Sequence, residues 1–489
     1  MFKKSFSKHT LPNGEPEDLL NHTELCLKYF LTLSHKRNLN HIYDKLLSSL
    51  KLPVEDLKMK ILETVSYHDL GKLNPNFQRS CWKNNVADTN HSLYSYYYLL
   101  YKHIEELGKI QENDNKAFVQ ALIFKTISYH HTHLNNFNIE FLRDDFIDMK
   151  KDKVFKNILT ELNLPNNLEN TNISYNARKA YNLYNKQIFY LLKIFYSHLT
   201  VSDYYSSFEC QNGREVKIKL IDNDLLTKLK QNFERANLYN QALDSKIVKP
   251  VDHCHSLNEC RDNLLIQSHK SIKNYLNLRR SKHRIFMLNV PTGGGKTNIS
   301  MKLTLDILEN ENMVNKIYFV FPYINIIEQN YKTIKNTFFH SNISEADKYI
   351  SNIHHSKIQK GNPNLTKENF LDNFEFYMND LFLNNQLNII SNVNFFDTFI
   401  KIKRGNRYKT AFFANSVVVI DEIQTLDVKN LDFFYELLND VASKFNIYFI
   451  IMSATLPDFN YFLEDKTDKI PHLIENYEKY FQCRFFKRN

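Results

Sequence analysis

Apolar positions change their period partway along this chain. From residue 17 to about residue 240 they recur three and four apart, most clearly in 55–68, 91–107, 116–130 and 186–205, with polar loops between them. That spacing lines one face of a helix and predicts a helical half. From Ile285 onward the grammar differs. Short β-rich runs at 285–290, 317–321, 387–390, 417–420 and 447–452 alternate with helical stretches, as in a parallel α/β sheet. A polar stretch at 244–262, containing Pro250, separates the two grammars. The predicted organisation is an all-α domain over 1–243, a linker over 244–262 and an α/β domain over 263–489. No internal repeat or low-complexity tract interrupts it.

The α/β half carries the most specific chemistry. Val290-Pro291-Thr292-Gly293-Gly294-Gly295-Lys296-Thr297 stands between the apolar run 285–290 and a helical pattern at 298–310, whose apolar positions are Ile299, Leu303, Leu305 and Leu308. Strand, glycine-rich turn and helix are the context a phosphate-binding loop needs. Thr292, Gly293, Gly294 and Gly295 would let backbone N–H groups close around a polyphosphate, and the helix N-terminus adds its positive dipole end. Lys296 would reach the β/γ-phosphates and the Thr297 hydroxyl would hold Mg²⁺. The strict pattern has a glycine where Val290 stands, so the match is to the relaxed, helicase-like form.

Further along, residues 417–424 read Val-Val-Val-Ile-Asp-Glu-Ile-Gln, a buried strand ending in two acids. Asp421 would hold Mg²⁺ through water and Glu422 would polarise the attacking water. Ser453, Ala454 and Thr455 follow another apolar strand and form the small-hydroxyl turn that couples nucleotide state to nucleic-acid grip in helicases. Between these, Phe321-Pro-Tyr-Ile-Asn-Ile-Ile-Glu-Gln-Asn330 and Ser391-Asn-Val-Asn394 also follow strands, where they could face the phosphates of a single strand.

The helical half contributes histidines and aspartates in a telling order. His22 sits in a first helix, and His68-Asp69 ends another and runs into Leu70-Gly71-Lys72. His91 opens a helix, His130-His131 closes a later one, and Asp203 is placed near the end of the last long helix. Helix ends can converge on one point in a bundle, so these side chains could build a single site. Mixed imidazole and carboxylate ligands suit Mn, Fe, Co or Ni better than Mg alone. Asp69 could bridge two metals, which together clamp a phosphate and lower the pKa of a bound water. These positions match the HD phosphohydrolase pattern, in which Lys72 would lie near the phosphate. A second group, His253-Cys254-His255 with Cys260, fits no standard zinc finger and lies in the linker, so it is not counted as a site.

Charge and cysteine usage change this picture little. The net charge of +9 permits contact with nucleic acid, but the excess of Lys, Asn, Ile, Tyr and Phe with only 9 Gly is the bias of an AT-rich genome. The six cysteines (Cys26, Cys81, Cys210, Cys254, Cys260 and Cys483) include no Cys-x-x-Cys pair, which reads as free thiols in a reducing cytoplasm. The polar, basic start is no signal peptide and no run reaches the length of a membrane span. The expectation is a soluble, cytoplasmic protein.

Taken together, the HD site followed by Pro-Thr-Gly-Gly-Gly-Lys-Thr, Pro-Tyr-Ile-Asn-Ile-Ile-Glu-Gln-Asn, Asp-Glu-Ile-Gln and Ser-Ala-Thr resembles the CRISPR-associated HD nuclease/superfamily-2 helicase of type I interference systems. The resemblance spans roughly residues 17 to 489. It implies an HD domain that cuts single-stranded DNA with a two-metal centre, and a RecA-like motor that reels in the strand displaced by a crRNA-guided surveillance complex. Carried over by motif, His22, His68, Asp69 and Asp203 would hold one metal, and Asp69, His91, His130 and His131 the other. Asp69, Lys72 and Glu422 would be catalytic. Lys296, Thr297, Asp421 and Glu422 would serve ATP and Mg²⁺.

Family members continue into a second RecA-like lobe with an arginine finger, whereas this sequence stops at Asn489, in what resembles the linker. The expectation is an incomplete motor that binds nucleotide but turns it over slowly, unless a separate chain supplies the second lobe. Two rival readings stand beside this one. The first is an HD hydrolase of small nucleotides with a nucleotide-sensing domain. The second is a non-catalytic module that docks on the surveillance complex.

Overall fold

The computed structural model describes residues 5–81, 90–108, 115–129, 141–166, 168, 186–236, 247–277, 283–340, 343–352, 375, 377–401, 408–425, 431–454 and 469–486. They form two compact units, Met1–Ile218 with Thr398–Ala411, and Lys219–Asp397 with Phe412–Asn489. The division falls at Ile218, earlier in the chain than the polar stretch at 244–262.

The first unit opens with a small antiparallel hairpin, β1 (Phe6–Thr10) and β2 (Pro16–Asp18), which the helical periodicity did not predict. Its strands are short and polar, so no alternation stands out. The helices are α1 (Leu19–Lys36), α2 (Leu39–Ser49), α3 (Val54–Ser66), α4 (Pro75–Ser80), α5 (His91–Lys102), α6 (Ile104–Leu107), α7 (Asn115–Lys125), α8 (Phe141–Lys151), α9 (Lys153–Glu161) and α10 (Lys186–Asn212). Caps set several of the starts: Asp18 accepts from Leu20 N at α1 and Asp152 from Phe155 N at α9, each replacing a partner the first turn lacks. The predicted helix at 91–107 is two pieces, broken at His103. The axis of the unit is α10, which buries residues on every side of its central turns, from Tyr190 through Asp203. A helix buried all round belongs inside a bundle, and α1 packs along it.

The second unit holds α11 (Asn223–Arg235), α12 (Leu257–Asn277), β3 (Ile285–Asn289), α13 (Lys296–Asn310), β4 (Ile317–Phe321), α14 (Ile324–Phe338), β5 (Ile350–Asn352), β6 (Leu387–Ser391), most of α15 (Asn392–Ile400), the end of α16 (Thr410–Phe413), β7 (Ser416–Asp421), α17 (Leu431–Phe445), β8 (Ile447–Ser453) and α18 (Tyr477–Gln482). The six strands make one all-parallel sheet in the order β3-β8-β7-β4-β6-β5, the architecture of a RecA-like domain. Strands β3, β4, β7 and β8 are buried at every position. A sheet covered on both faces needs such continuous apolar runs. Helix α11 lays Leu225, Leu229 and Phe233 into the same core as β3, β4 and α13, which is why this unit begins at Lys219. The C-terminal ends of β3, β7 and β8 lie side by side and bring the phosphate loop, the acidic pair and the serine turn together. No described helix is long and apolar enough to cross a membrane.

Candidate metal centre and phosphate-binding loop

In the first unit, three elements deliver one buried cluster of four side chains. His22 stands on the first turn of α1, His68 and Asp69 follow the end of α3, and Asp203 lies inside α10. Asp203 is therefore mid-helix, nine residues before the end of α10 at Asn212, and not near its end as the sequence pattern placed it. Beyond it Tyr205, Ser206, Phe208 and Cys210 are still buried along the helix. His22 Nε2 is 3.2 Å from both Asp69 Oδ2 and Asp203 Oδ1. His68 Nε2 is 3.5 Å and 3.9 Å from the same two oxygens. One ligand atom from each of the four lies within 4.8 Å of all the others.

The second oxygen of Asp69 faces another way. His91, the first residue of α5, places Nε2 3.4 Å from Asp69 Oδ1, while Lys72 Nζ is 2.5 Å from Oδ2. Gly71 makes this approach possible. A Cβ there would lie 1.9 Å from the His91 carbonyl oxygen, and the Gly71 N–H donates to Ser95 Oγ at 2.8 Å. The glycine thus lets α5 dock against the turn that carries Asp69. His130 and His131 lie outside the described residues.

Both inner imidazoles are oriented from behind. His68 Nδ1 is 2.8 Å from the Val65 carbonyl oxygen and His22 Nδ1 is 3.2 Å from Glu17 Oε2. Each ring then turns Nε2 toward the carboxylates, as metal-ligating histidines do. Burial opposes charge on His22, yet Asp203, Asp69 and Glu17 outweigh it and hold its pKa well above the ordinary histidine range. His68 is raised in the same way, against burial, chiefly by Asp69. Asp203 is held well below the carboxylate range by His22 and His68 despite its burial. Such a site attracts positive charge into a buried space. Two imidazole nitrogens and two carboxylates are a donor set that a divalent metal ion would fit. Sequence reasoning missed Glu17, and also His9, whose ring centroid is 5.2 Å from that of His22.

The loop in the second unit has the backbone its glycines allow. Gly293 and Gly295 take φ of 80° and 86°, left-handed values that disfavour other residues, and Gly295 caps α13. A Cβ on Gly294 would meet Val290 Cγ1 at 2.5 Å. Thr292 and Gly293 are exposed at the turn. Lys296 Nζ is 2.5 Å from Glu422 Oε1, and Thr297 Oγ1 donates to Asn330 Oδ1 at 3.0 Å. Glu422 in turn accepts from Gln424, whose amide oxygen accepts from Ser453 Oγ. A chain of polar contacts thus runs from the phosphate-loop lysine to the serine turn. Ala454 follows it, and Thr455 lies outside the described residues. Asp421 is buried with no partner for Oδ1 among the described residues, and burial, opposed by Lys296, lifts its pKa to about 6. An orphaned buried carboxylate beside a phosphate loop fits a magnesium ligand. Arg261, which donates to the Gly293 carbonyl at 2.8 Å, was not foreseen; Gln424 and Asn330 lie in motifs read from the sequence, but without these contacts.

Residues 263–458 match the family described as type III restriction enzyme, res subunit. No curated protein matches the chain. Among solved structures, the chain is similar to T. fusca Cas3 (15% identity, TM-score 0.49, covering 93% of this chain and 50% of that one). It is also similar to T. fusca Cas3 with ATP (14% identity, TM-score 0.49, 93% and 50%). A third is a chain of a structure titled CRISPR RNA-guided surveillance complex, pre-nicking (14% identity, TM-score 0.45, 91% and 46%). The chain spans about half the length of these proteins.

Proposed function

We propose that this chain is a metal-dependent single-stranded DNA endonuclease joined to an ATP-dependent helicase lobe, acting in CRISPR interference. The observation that carries the reading is the buried convergence of His22, His68, Asp69 and Asp203. Asp69 supports a two-ion centre, because one oxygen faces His22 and His68 while the other faces His91. His91, with His130 and His131, completes the second ligand set in this reading. When bound, a pair of Mn, Fe, Co or Ni ions would supply a water of lowered pKa and neutralise charge on the phosphodiester. The protein's own part is to hold the ligands rigidly by burial and to keep Lys72 beside Asp69, where its ammonium can meet a phosphate oxygen.

On the motor side, Thr292, Gly293, Gly294, Gly295 and Lys296 would cradle the phosphates of ATP, with Thr297 and Asp421 toward Mg²⁺ and Glu422 toward the attacking water. Ser453, through Gln424, is in contact with that glutamate. Superfamily-2 ATP sites are completed by a second RecA-like lobe, in the same protein or in a separate chain. Single-stranded DNA as substrate and a crRNA-guided surveillance complex as partner rest on the ordered set of motifs.

The test is cleavage of circular single-stranded DNA with Mn²⁺, Co²⁺ or Ni²⁺ and without ATP. The wild type should degrade it and Asp69→Ala should not. Equal cleavage by the Asp69→Ala variant would sink the assignment. Hydrolysis of free nucleotides with DNA left intact would favour a small-molecule phosphohydrolase instead.

A further inference from the structure

One buried carboxylate beside the candidate metal centre belongs to none of the motifs. Glu17 is 2% exposed, in the middle of β2. A carboxylate so buried is costly unless it is paired and hydrogen-bonded. Its Oε2 accepts from Ser7 Oγ on β1 and lies 3.2 Å from His22 Nδ1. The contact follows from how α1 begins. Asp18 is the N-cap, so Glu17 precedes the cap and His22 is the fourth helical residue. Those two positions meet at a helix entry, where an apolar pair ordinarily packs and fixes the angle of the incoming chain. With glutamate and histidine there, the same geometry fixes the rotation of an imidazole and decides which nitrogen carries hydrogen.

We propose that Glu17 is a positioning residue for the metal centre. By accepting the Nδ1–H of His22, it turns Nε2 toward Asp69 and Asp203 and leaves that nitrogen to give its lone pair to the ion they would bind. The inference rests on reading this cluster as a metal centre. His68 is held in the same sense by the Val65 carbonyl, but that acceptor is neutral. The charged acceptor behind His22 makes its ring the more basic donor of the two. His9, Glu17 and His22 do not read as a separate metal site. The two ring nitrogens of His9 lie 3.1 Å from Ser207 Oγ and 3.0 Å from Gln211 Nε2, and Glu17 Oε2 is shared between Ser7 and His22. The hairpin is therefore a brace for His22.

The test is calorimetric titration of the full chain with Mn²⁺, comparing wild type, Glu17→Leu and Glu17→Gln, with each variant repeated in a His22→Ala background. Loss of an outer partner of this kind costs about 10–100-fold in metal affinity, and that is the weakening expected for Glu17→Leu. Glu17→Gln keeps an oxygen that accepts the Nδ1–H and should recover most of the loss. In the His22→Ala background, Glu17→Leu should weaken binding no further, because its effect passes through the missing ring. If Glu17→Leu does not fold, Ser7→Ala, which releases one side of the glutamate, should weaken Mn²⁺ binding in the same direction. Unchanged affinity in these variants, or equal losses with and without His22, would overturn the positioning role while leaving the metal centre intact. A wild type that binds no Mn²⁺ would overturn the metal centre itself.

Discussion

Replacing Gly71 by alanine tests whether the approach of α5 to Asp69 builds the second half of the metal centre. The new Cβ would start 1.9 Å from the His91 carbonyl oxygen and 2.8 Å from Ser95 N, both backbone atoms that cannot rotate away. Reaching the 3.4 Å of ordinary contact requires the start of α5 to retreat by about 1.5 Å. His91 Nε2, now 3.4 Å from Asp69 Oδ1, would then stand about 5 Å away, whereas one ion bonded to both atoms at about 2.1 Å spans at most about 4.2 Å. The retreat therefore takes His91 out of reach of any ion that Asp69 holds. Overpacking of this kind costs about 1–3 kcal/mol, and loss of the Gly71 N–H bond to Ser95 Oγ adds about 1 kcal/mol.

A total of about 2–4 kcal/mol should lower the melting temperature of this unit by roughly 5–15 °C. Elemental analysis should find fewer bound ions in Gly71→Ala than in wild type. Ser95→Ala is the control, since it removes the acceptor without adding volume. It should lose about 1 kcal/mol of stability and keep its metal. Thermal unfolding and metal content together decide the matter. A Gly71→Ala protein that melts and loads like wild type would refute the argument that this glycine sets the distance from His91 to Asp69.

Three further outcomes follow from the same geometry. Asp69→Ala should lower metal occupancy more than His22→Ala, because Asp69 turns one oxygen to His22 and His68 and the other to His91, while His22 turns only Nε2 toward the cluster; a fully loaded Asp69→Ala protein by elemental analysis contradicts this. His22 and His68 are both raised well above the ordinary range by carboxylates that overcome burial, so a proton and an ion compete for the same Nε2 atoms. Metal uptake should then release protons and tighten as pH rises, and an affinity flat between about pH 6 and about pH 8 counts against it. Asp421, lifted to about 6 by burial, gains a proton as pH falls through that value and loses its claim on Mg²⁺. Mg²⁺-dependent nucleotide binding should fall below about pH 6 in wild type and lose that dependence in Asp421→Asn, measured by titration with a fluorescent ATP analogue.

How much of this was legible in the sequence depended on whether a residue's role is set by its neighbours in the chain. Strands β3, β4, β6, β7 and β8 announce themselves because a doubly covered sheet demands unbroken apolar runs. Strand β5, three residues long, and the β1–β2 hairpin carry too few positions for any period to show. The phosphate loop is equally local: Gly293 and Gly295 adopt positive φ within the segment that names them. The histidine cluster is different, since His22 and Asp203 are 181 residues apart and meet only because α1 packs along α10. Residue types and order suggested the set, but packing brings it together. The supporting residues were harder still. Arg261 reaches Gly293 across 32 residues and leaves no pattern in one sequence, whereas Gln424 and Ser453 each lie in a motif but their contact across 29 residues does not show. Glu17 is the exception that was readable. An acid just before an Asp N-cap with a histidine five residues later puts a charged pair where helix entries usually place an apolar one. Helix geometry alone would have joined the two. What it could not supply is the reason for the join, which needs Asp69 and Asp203 on the far side of the ring.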